Sequence, residues 1–266
     1  MSDRVHRAPS PGRFENAVVL VTGSTRGIGC GIAHRFATEG ASVVITGREG
    51  ESGAKVACRS AGTAWIYHSS KRTCTDEIKA PIRATFDKYE GIDVLVNNAG
   101  VQTETGVTEA TIDDWAFVLE TYFRAYWLCV KYAAEHMEEG AIINVSSNHP
   151  VLTMPSHFPY NAVKAGINGM THAITLDIGL EIRVNTISPG CIEVERTREE
   201  LPEERREQVE SIHPLVRIGR PEDVAGVAAF LASDDAAFVT GSNLLVDSGR
   251  TAVMQDDTLL DYRRDR

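Results

Sequence analysis

The sequence predicts one α/β domain of the doubly wound type, with a parallel sheet of about seven strands and helices on both faces. Three observations support this. Short apolar runs alternate with longer helical stretches from residue 17 onward. Several runs are nearly continuous in Val, Ile and Leu, as strands covered on both faces are. A glycine-rich turn joins the first run to the first helical stretch.

The elements follow one another without a composition change that would divide the chain. The predicted strands cover residues 17–22, 42–46, 64–68, 93–97, 141–146, 182–187 and 243–247. Helical patterns cover residues 28–39, 75–89, 111–138, 160–179 and 221–232. We therefore expect a disordered arm over 1–16, one domain over 17–250, and a tail over 251–266.

Composition excludes several classes of protein. The 266 residues contain 27 Lys and Arg against 37 Asp and Glu, a net charge of −10, which argues against nucleic acid or an anionic membrane as partner. No apolar run approaches the roughly 18 residues of a membrane span. Five cysteines without a CxxC pair favour a reducing compartment, so we expect a cytoplasmic protein. The histidines show no metal-ligand spacing, and no metal site is predicted.

The glycine-rich turn has the spacing GxxxGxG. Gly23 permits a tight turn, Gly27 lets the backbone approach a pyrophosphate, and Gly29 allows close packing of helix and strand. The following helix N-terminus offers free N–H groups to a phosphate. The turn predicts a dinucleotide site made by Gly23, Ser24, Thr25, Arg26, Gly27, Ile28 and Gly29.

The residues after the second strand indicate which dinucleotide is bound. Sites for NAD usually place an acidic residue there, on the ribose 2′-hydroxyl. Here Gly47 takes that place and Arg48 follows, while Arg26 lies in the glycine turn. Two guanidinium groups suit a 2′-phosphate, so NADP(H) is predicted in preference to NAD(H). The alternative is that both arginines are solvated surface residues.

Tyr160 and Lys164 are four residues apart in a predicted helix and therefore share one face. A phenol, with a pKa of about 10, is a weak acid–base catalyst at neutral pH, but a neighbouring ammonium favours its ionised form. Ser147 follows the fifth strand, where its hydroxyl is placed to bond a substrate carbonyl. The alternative for this pair, taken alone, is an ordinary amphipathic helix.

Taken together, these motifs resemble the short-chain dehydrogenase/reductase family. The resemblance covers about residues 17–250 and rests on the following segments: TGSTRGIG at 22–29, NNAG at 97–100, Ser147, YNAVK at 160–164, RVNTISPG at 183–190, RIGRPEDVAGVAAFLAS at 217–233 and VTGSNLLVDSG at 239–249. It implies a Rossmann-type domain that moves a hydride between NAD(P)(H) and a small-molecule carbonyl or alcohol. It also implies a homotetramer or homodimer, with the last helix and strand at one interface.

The resemblance assigns roles to individual residues. Tyr160 would be the general acid in reduction and the base in oxidation, Lys164 would lower its pKa and hold the nicotinamide ribose, and Ser147 would polarise the carbonyl. Further cofactor contacts would come from Asn98, Ala99 and Gly100 beside the adenosine ribose, and from Pro189, Gly190 and Ile192 beside the nicotinamide.

Four departures from the family pattern stand out. Tyr122 replaces an Asn that kinks a helix and holds a relay water; its hydroxyl joins the relay, or the residue only packs. Ser69 stands near the usual Asp–Val that contacts the adenine, and can still form a hydrogen bond there. Val194 replaces a Thr that binds the carboxamide. Ser248 and Arg250 replace a Gly and an aromatic residue near the last strand.

Substrate shape should come from loops at the carboxyl ends of the strands, at 148–159 and about 191–219. The first loop contributes His149, Met154, His157 and Phe158, unless its histidines are simply solvated. The charged stretch 197–210 predicts an amphipathic helix, acting as a lid in this family or as a solvated face. The alternative to an enzyme is a catalytically weak member that binds NADP(H) as a regulatory or scaffold protein.

Overall fold

A computed structural model of the protein describes residues 9–47, 64–68, 74–101 and 103–254. The predicted strands form a single seven-stranded sheet in which all neighbouring pairs are parallel. In chain order the strands are β1 Val18–Val21, β2 Ser42–Gly47, β3 Ala64–His68, β4 Val94–Asn97, β5 Gly140–Val145, β6 Ile182–Pro189 and β7 Asn243–Val246. The predicted fold class is therefore confirmed.

The strand order is β3-β2-β1-β4-β5-β6-β7, so the direction of winding reverses between β1 and β4. Val19 of β1 pairs with Val43 of β2 on one side and with Val94 of β4 on the other. In open parallel sheets, ligands bind outside the carboxyl ends of the strands at such a reversal. The topology thus places a binding crevice beyond the ends of β1 and β4.

Helices cover both faces of the sheet. They are α1 Gly27–Thr38, α2 Thr75–Tyr89, α3 Ile112–Val118, α4 Ala125–Ala133, α5 Phe158–Ile178, α6 Glu195–Glu200, α7 Glu203–Ser211 and α8 Pro221–Ala232. The apolar sides of α1 and α8 share one core with the sheet, and those of α2 and α4 share the other. In the described ranges, no helix has both the length and the apolar character that a membrane crossing needs.

The long helix predicted over 111–138 is interrupted. Thr111 starts α3 with a capping box, in which its hydroxyl accepts the Asp114 N–H at 3.1 Å and the Asp114 carboxylate accepts the Thr111 N–H at 3.0 Å. A π-helical turn, Leu119–Arg124, then separates α3 from α4. Such turns insert one extra residue into a helix and are often found at functional sites. Here the turn contains Tyr122, which is buried.

A single helix over 197–210 was predicted, and this is wrong. The segment forms α6 and α7, which are separated at Leu201 and Pro202. Proline has no backbone N–H and disfavours a helical conformation of the residue before it. Accordingly, Leu201 is extended, with φ −107° and ψ 96°. The segment therefore forms two short helices, where the sequence predicted one.

The described part of the N-terminal arm is ordered, so the prediction of disorder is wrong for residues 9–16. Phe14 is buried, and its ring meets that of Phe36 edge to face with 4.8 Å between the centroids. The Ser10 N–H donates to the buried Glu39 carboxylate at 2.9 Å. The arm is therefore held against α1 by an apolar ring contact and by a hydrogen bond to Glu39.

Candidate active site

A cleft of about 800 Å³ lies beyond the carboxyl ends of the strands. Its walls are the glycine turn after β1, the end of β2, the turn after β4, the π-helical turn and the first turns of α5 and α6. Many of the predicted site residues line it: Gly23, Thr25, Arg26, Gly27, Ile28, Gly29, Asn98, Ala99, Gly100, Tyr122, Tyr160 and Lys164. The topology therefore brings residues from distant parts of the chain to one cavity.

The glycine turn has the backbone that its glycines permit. Gly23 and Gly27 have φ values of 62° and 58°, in the left-handed region that favours glycine. A side chain at Gly29 would begin 2.6 Å from the Gly23 carbonyl oxygen. Ser24 is fully buried instead of lining the cleft, and its hydroxyl donates to the Val21 carbonyl at 2.6 Å. The Ser24 hydroxyl therefore stabilises the turn from its buried side.

Asn98 ties the turn after β4 to the glycine turn. Its side-chain amide donates to the carbonyls of Thr22 and Gly23 at 2.9 and 3.0 Å. The backbone N–H groups of Asn98 and Ala99 both donate to the Thr22 hydroxyl, at 3.0 and 3.1 Å. The Asn98 amide thus fixes the position of the turn after β4 relative to the glycine turn.

Tyr160 lies in the first turn of α5 and lines the cleft. The Ser147 hydroxyl oxygen, which acts on the Tyr160 phenol, accepts the His149 N–H at 3.2 Å. Burial raises the pKa of the Tyr160 phenol, while the Ser147 hydrogen bond and the charge of Arg196 oppose that rise. Ser147 is itself buried.

Lys164 follows Tyr160 by one helical turn, and its side chain is buried. Its ammonium donates to the Val145 carbonyl at the end of β5, at 2.8 Å. Burial lowers the pKa of the Lys164 ammonium to about 7. The hydroxyl, the phenol and the ammonium that the sequence predicted as one set are thus brought together in the fold.

Of the four residues predicted to shape the substrate pocket, His149 and His157 lie beside Tyr160, whereas Met154 and Phe158 do not. His149 and His157 stack on each other with 4.8 Å between their centroids, and both present their rings at nearly right angles to Tyr160. His157 is held by the Pro155 carbonyl at 2.8 Å from its Nδ1. Met154 is exposed, and Phe158 stacks on Trp115 at 5.4 Å. The structure brings only the two histidines to Tyr160.

The residues predicted to contact nicotinamide lie at the end of β6 and directly after it. Pro189 ends β6, Gly190 donates its N–H to the Val246 carbonyl at 3.0 Å, and Ile192 is buried. Their neighbour Val194 lines the cleft. Arg48 and Ser69, the remaining predicted cofactor contacts, lie outside the described residues.

One ion pair spans the cleft, and the sequence did not predict it. The Arg196 guanidinium, at the start of α6, binds Glu104 after β4 at 2.7 Å and Glu200 at 2.6 Å. Glu104 and Arg196 are 92 residues apart, so no spacing pattern connects them. Among the described residues, no cluster of His, Cys, Asp and Glu has the arrangement of a metal site.

The family model described as enoyl-(acyl carrier protein) reductase matches residues 23–251. The chain belongs to the short-chain dehydrogenase/reductase family. It is 35% identical over 250 residues to 3beta-hydroxysteroid dehydrogenase 1 of Eggerthella lenta, covering 90% of this chain and 95% of that one. It is 37% identical over 244 residues to a 3-oxoacyl-(acyl-carrier-protein) reductase of Thermotoga maritima, covering 89% and 98%.

A solved short-chain dehydrogenase/reductase from Brucella melitensis, titled glucose/ribitol dehydrogenase, superposes with a TM-score of 0.86 at 28% identity. The match covers 90% of this chain and 98% of that one. As a short-chain dehydrogenase/reductase, the protein is an oxidoreductase of a family that uses nicotinamide cofactors. The glycine turn fits such a group, because Gly23, Gly27 and Gly29 line the cleft and the turn leads into the N-terminus of α1.

One departure from the short-chain dehydrogenase/reductase pattern has a structural explanation. Ser248 stands where the family often has Gly, and its φ of 60° lies in the left-handed region. Its hydroxyl accepts the Leu215 N–H at 3.2 Å, which ties the end of β7 to the segment after α7. The hydroxyl contact offsets part of the backbone strain that glycine would avoid.

Proposed function

We propose that the protein is an NADP(H)-dependent oxidoreductase that transfers a hydride between nicotinamide and a carbonyl or secondary alcohol of a small molecule, with Tyr160 as acid–base catalyst. The observation that carries this proposal is that Tyr160 and Lys164 line the cleft together, with the Lys164 Nζ atom 5.6 Å from the Tyr160 ring centroid, while Ser147 acts on the same phenol. The full set lies on elements held by a rigid sheet, which favours precise positioning.

In the proposed mechanism, a side chain of the protein donates or accepts the proton, and the cofactor carries the hydride. The nicotinamide cofactor, when bound, supplies or accepts the hydride. In reduction, the Tyr160 hydroxyl donates its proton to the carbonyl oxygen, and in oxidation the phenolate accepts the alcohol proton. The Ser147 hydroxyl donates to the same oxygen and orients it. The Lys164 ammonium stabilises the phenolate that reduction leaves behind, because an opposite charge favours the ionised form.

The acid–base role is tested with Tyr160→Phe. The variant keeps the ring and its contacts with the two histidines but has no exchangeable proton. We expect carbonyl reduction, followed by NADPH absorbance at 340 nm, to fall at least about 100-fold, while NADPH binding measured by fluorescence stays intact. Turnover near the parent rate would contradict the role of Tyr160.

The preference for NADP(H) rests on two features at the adenosine end. A side chain at Gly47 would begin 2.7 Å from the Thr25 hydroxyl oxygen, so the position that carries an acidic residue in NAD sites has no room for one. Arg26 is exposed at the N-cap of α1, on the cleft wall. A guanidinium at this place can pair with a 2′-phosphate.

Arg26→Gln tests this preference. We expect NADPH binding to weaken about tenfold or more, the value of a charge-assisted hydrogen bond, with little change for NADH. Arg83→Gln changes the net charge equally on the exposed side of α2, and serves as the control for long-range attraction. Tighter binding of NADH than NADPH by the parent protein would overturn the preference.

The proposed substrate class, a small-molecule carbonyl or secondary alcohol, follows from the class of reaction alone. The relatives named above act, by their names, on a hydroxysteroid and on a 3-oxoacyl thioester. A panel of steroid ketones, 3-oxoacyl thioesters, sugars and small ketones with NADPH is therefore the informative assay. His149, Met154, His157 and Phe158 are the residues proposed to shape selectivity, with α6 and α7 as a lid.

A cofactor-binding regulatory or scaffold protein is the second candidate. The observation in its favour is Tyr122, which replaces the relay Asn of the family. Firm NADPH binding together with zero turnover across the whole panel would support this candidate, and turnover of one ketone would exclude it.

We also propose a cytoplasmic homotetramer or homodimer. Asn243 and Leu245 of the edge strand β7 are exposed, and Phe238, just before it, is fully exposed. A second copy placed at this edge would cover them. Light scattering would measure the mass, and Phe238→Lys should reduce it if this edge forms the interface. A monomer of 29.0 kDa would contradict the proposal.

A further inference from the structure

Three tyrosine rings surround the Lys164 ammonium. The Nζ atom lies 4.3 Å from the ring centroid of Tyr122, 5.6 Å from that of Tyr160 and 5.8 Å from that of Tyr126. The rings of Tyr122 and Tyr126 are almost completely buried. An aromatic face carries partial negative charge and attracts a cation within about 6 Å. The shortest of the three distances belongs to Tyr122.

The local structure fixes the ring of Tyr122. The π-helical turn holds it edge to face against Tyr160 at 5.9 Å and against Tyr126 at 6.2 Å. On the opposite wall Gly100 gives the ring its space, since a side chain there would begin 2.6 Å from the Tyr122 hydroxyl oxygen. The ring therefore fills the gap between the turn after β4 and Lys164.

The hydroxyl of Tyr122 donates a short hydrogen bond to the Val101 carbonyl. The bond anchors the ring tip to the backbone after β4. The two ends of Tyr122 thus have different partners: its tip binds the backbone and its face meets the ammonium.

We propose that Tyr122 is a positioning residue for Lys164, which acts through its ring face. The ammonium has lost most of its water in the buried site, and the ring supplies attraction to the charged form. The ammonium is thus held by two contacts, the Val145 carbonyl at 2.8 Å and the Tyr122 ring face at 4.3 Å from its centroid. The inference rests on the proposed role of Lys164 beside Tyr160.

The titratable groups that face the Lys164 ammonium, among the described residues, are these three phenols: Tyr122 from the π-helical turn, Tyr126 from α4 and Tyr160 from α5. Burial lowers the pKa of Lys164. Attraction to the ring faces acts in the opposite direction, because it favours the charged form. Removing the nearest face should therefore lower the pKa of Lys164 further.

The experiment measures that pKa directly. NMR of the apo protein with ¹³C-labelled lysine gives the titration of Lys164, assigned with Lys164→Met. We expect Tyr122→Phe, which keeps the face, to leave the Lys164 titration where it is. Tyr122→Leu, which removes the face, should lower it by about one pH unit. Tyr122→Met replaces the leucine variant if that one does not fold. Tyr126→Phe controls for the loss of a buried tyrosine hydroxyl.

The kinetic counterpart is the pH profile of kcat/KM with a substrate from the panel. The tyrosine-to-leucine variant should shift the profile and reduce kcat at least about fivefold below that of the phenylalanine variant. Equal pKa values in the phenylalanine and leucine variants, or a loss in the phenylalanine variant as large as in the leucine one, would overturn the inference. The NMR measurement needs neither cofactor nor substrate, so its result stands apart from any failure of the proposed function.

Discussion

The imidazole ring of His149 lies at 88° to the phenol ring of Tyr160, with 5.4 Å between their centroids. The same residue donates its backbone N–H to the Ser147 hydroxyl and stacks its ring on the buried His157. The loop after β5 therefore contacts the proposed proton donor both directly and through Ser147. The two histidines form part of the packing around Tyr160.

This packing makes stability depend on pH through His149. Burial and the neighbouring His157 lower the pKa of His149 to about 4. Between its ordinary value of 6.5 and about 4, the unfolded chain binds a proton that the folded chain does not, so stability falls as the pH falls through this window. We expect the unfolding midpoint of His149→Phe, which keeps an aromatic ring, to fall less steeply from pH 6.5 to 4.

Urea unfolding at several pH values gives this comparison. His172→Gln removes an exposed histidine from α5 and should retain the parent's pH dependence. The same slope in the His149 variant as in the parent would mean that His149 is protonated in the folded state as easily as in the unfolded one.

Lys164 should destabilise the folded protein at neutral and acidic pH. Its folded pKa of about 7 lies below the ordinary 10.5, so the unfolded chain holds more protons between these values and stability rises with pH across that window. The cost is present in full below about pH 7 and vanishes above about 10.5. We expect Lys164→Met to melt several degrees above the parent at pH 6, with the difference closing by pH 10.

Differential scanning calorimetry at both pH values tests this. Lys131→Met, at an exposed position on α4, is the matched control and should melt with the parent at each pH. A methionine variant that melts below the parent at pH 6 would show that the hydrogen bond to Val145 outweighs the cost of burying the charge.

Glu39 should anchor the N-terminal arm. Its buried carboxylate pairs with Arg35 at 2.5 Å and Arg13 at 3.3 Å, and accepts the Ser10 N–H. Removing one partner of a buried pair leaves the other charges uncompensated, at a cost of about 3 kcal/mol. We expect Glu39→Ala to lower the melting temperature and to expose residues 9–16 to proteases.

Asp87→Ala is the control for this prediction. It breaks the exposed Arg83–Asp87 pair on α2, whose closest atoms are 3.8 Å apart, and such surface pairs contribute at most about 1 kcal/mol. Protease cleavage of the arm at the parent rate in the Glu39 variant would show that the Phe14–Phe36 contact alone holds the arm.

The sequence was sufficient to predict the sheet and most of the helices. Val, Ile and Leu runs mark strands that both faces bury, and the observed bounds differ from the predicted ones by at most two residues. The order of residues 9–16 could not be predicted, because one phenylalanine in a polar segment gives no periodic signal. The π-helical turn was also beyond prediction, since one inserted residue does not change an amphipathic pattern enough to be detected.

The site was predictable where a motif keeps its residues adjacent in sequence, as in the glycine turn and in Tyr160 with Lys164. The partners that complete it come from distant segments. Glu104, Val101 and the face of Tyr122 meet their partners only through the packing of α3 to α6 around the cleft. Such contacts depend on side-chain directions in the folded chain, which spacing along the sequence does not specify.

The Arg196–Glu104 pair should hold the proposed lid closed. It joins α6 to the segment after β4 across the cleft, at 2.7 Å, so cofactor exchange requires its separation if α6 and α7 close over the site. Charge-assisted pairs of this exposure are weak, so we expect Glu104→Gln to speed NADPH release only about two- to fivefold in stopped-flow fluorescence. Protease cleavage within 195–211 should rise as well.

Glu200→Gln provides the matched control, because it removes the other partner of the same guanidinium but leaves the bridge across the cleft. The control variant should release NADPH at the parent rate. If both variants release NADPH equally fast, Arg196 acts on the cofactor only through its own charge. If neither differs from the parent, the bridge does not limit opening, and closure must depend on the packing of α6 and α7 instead.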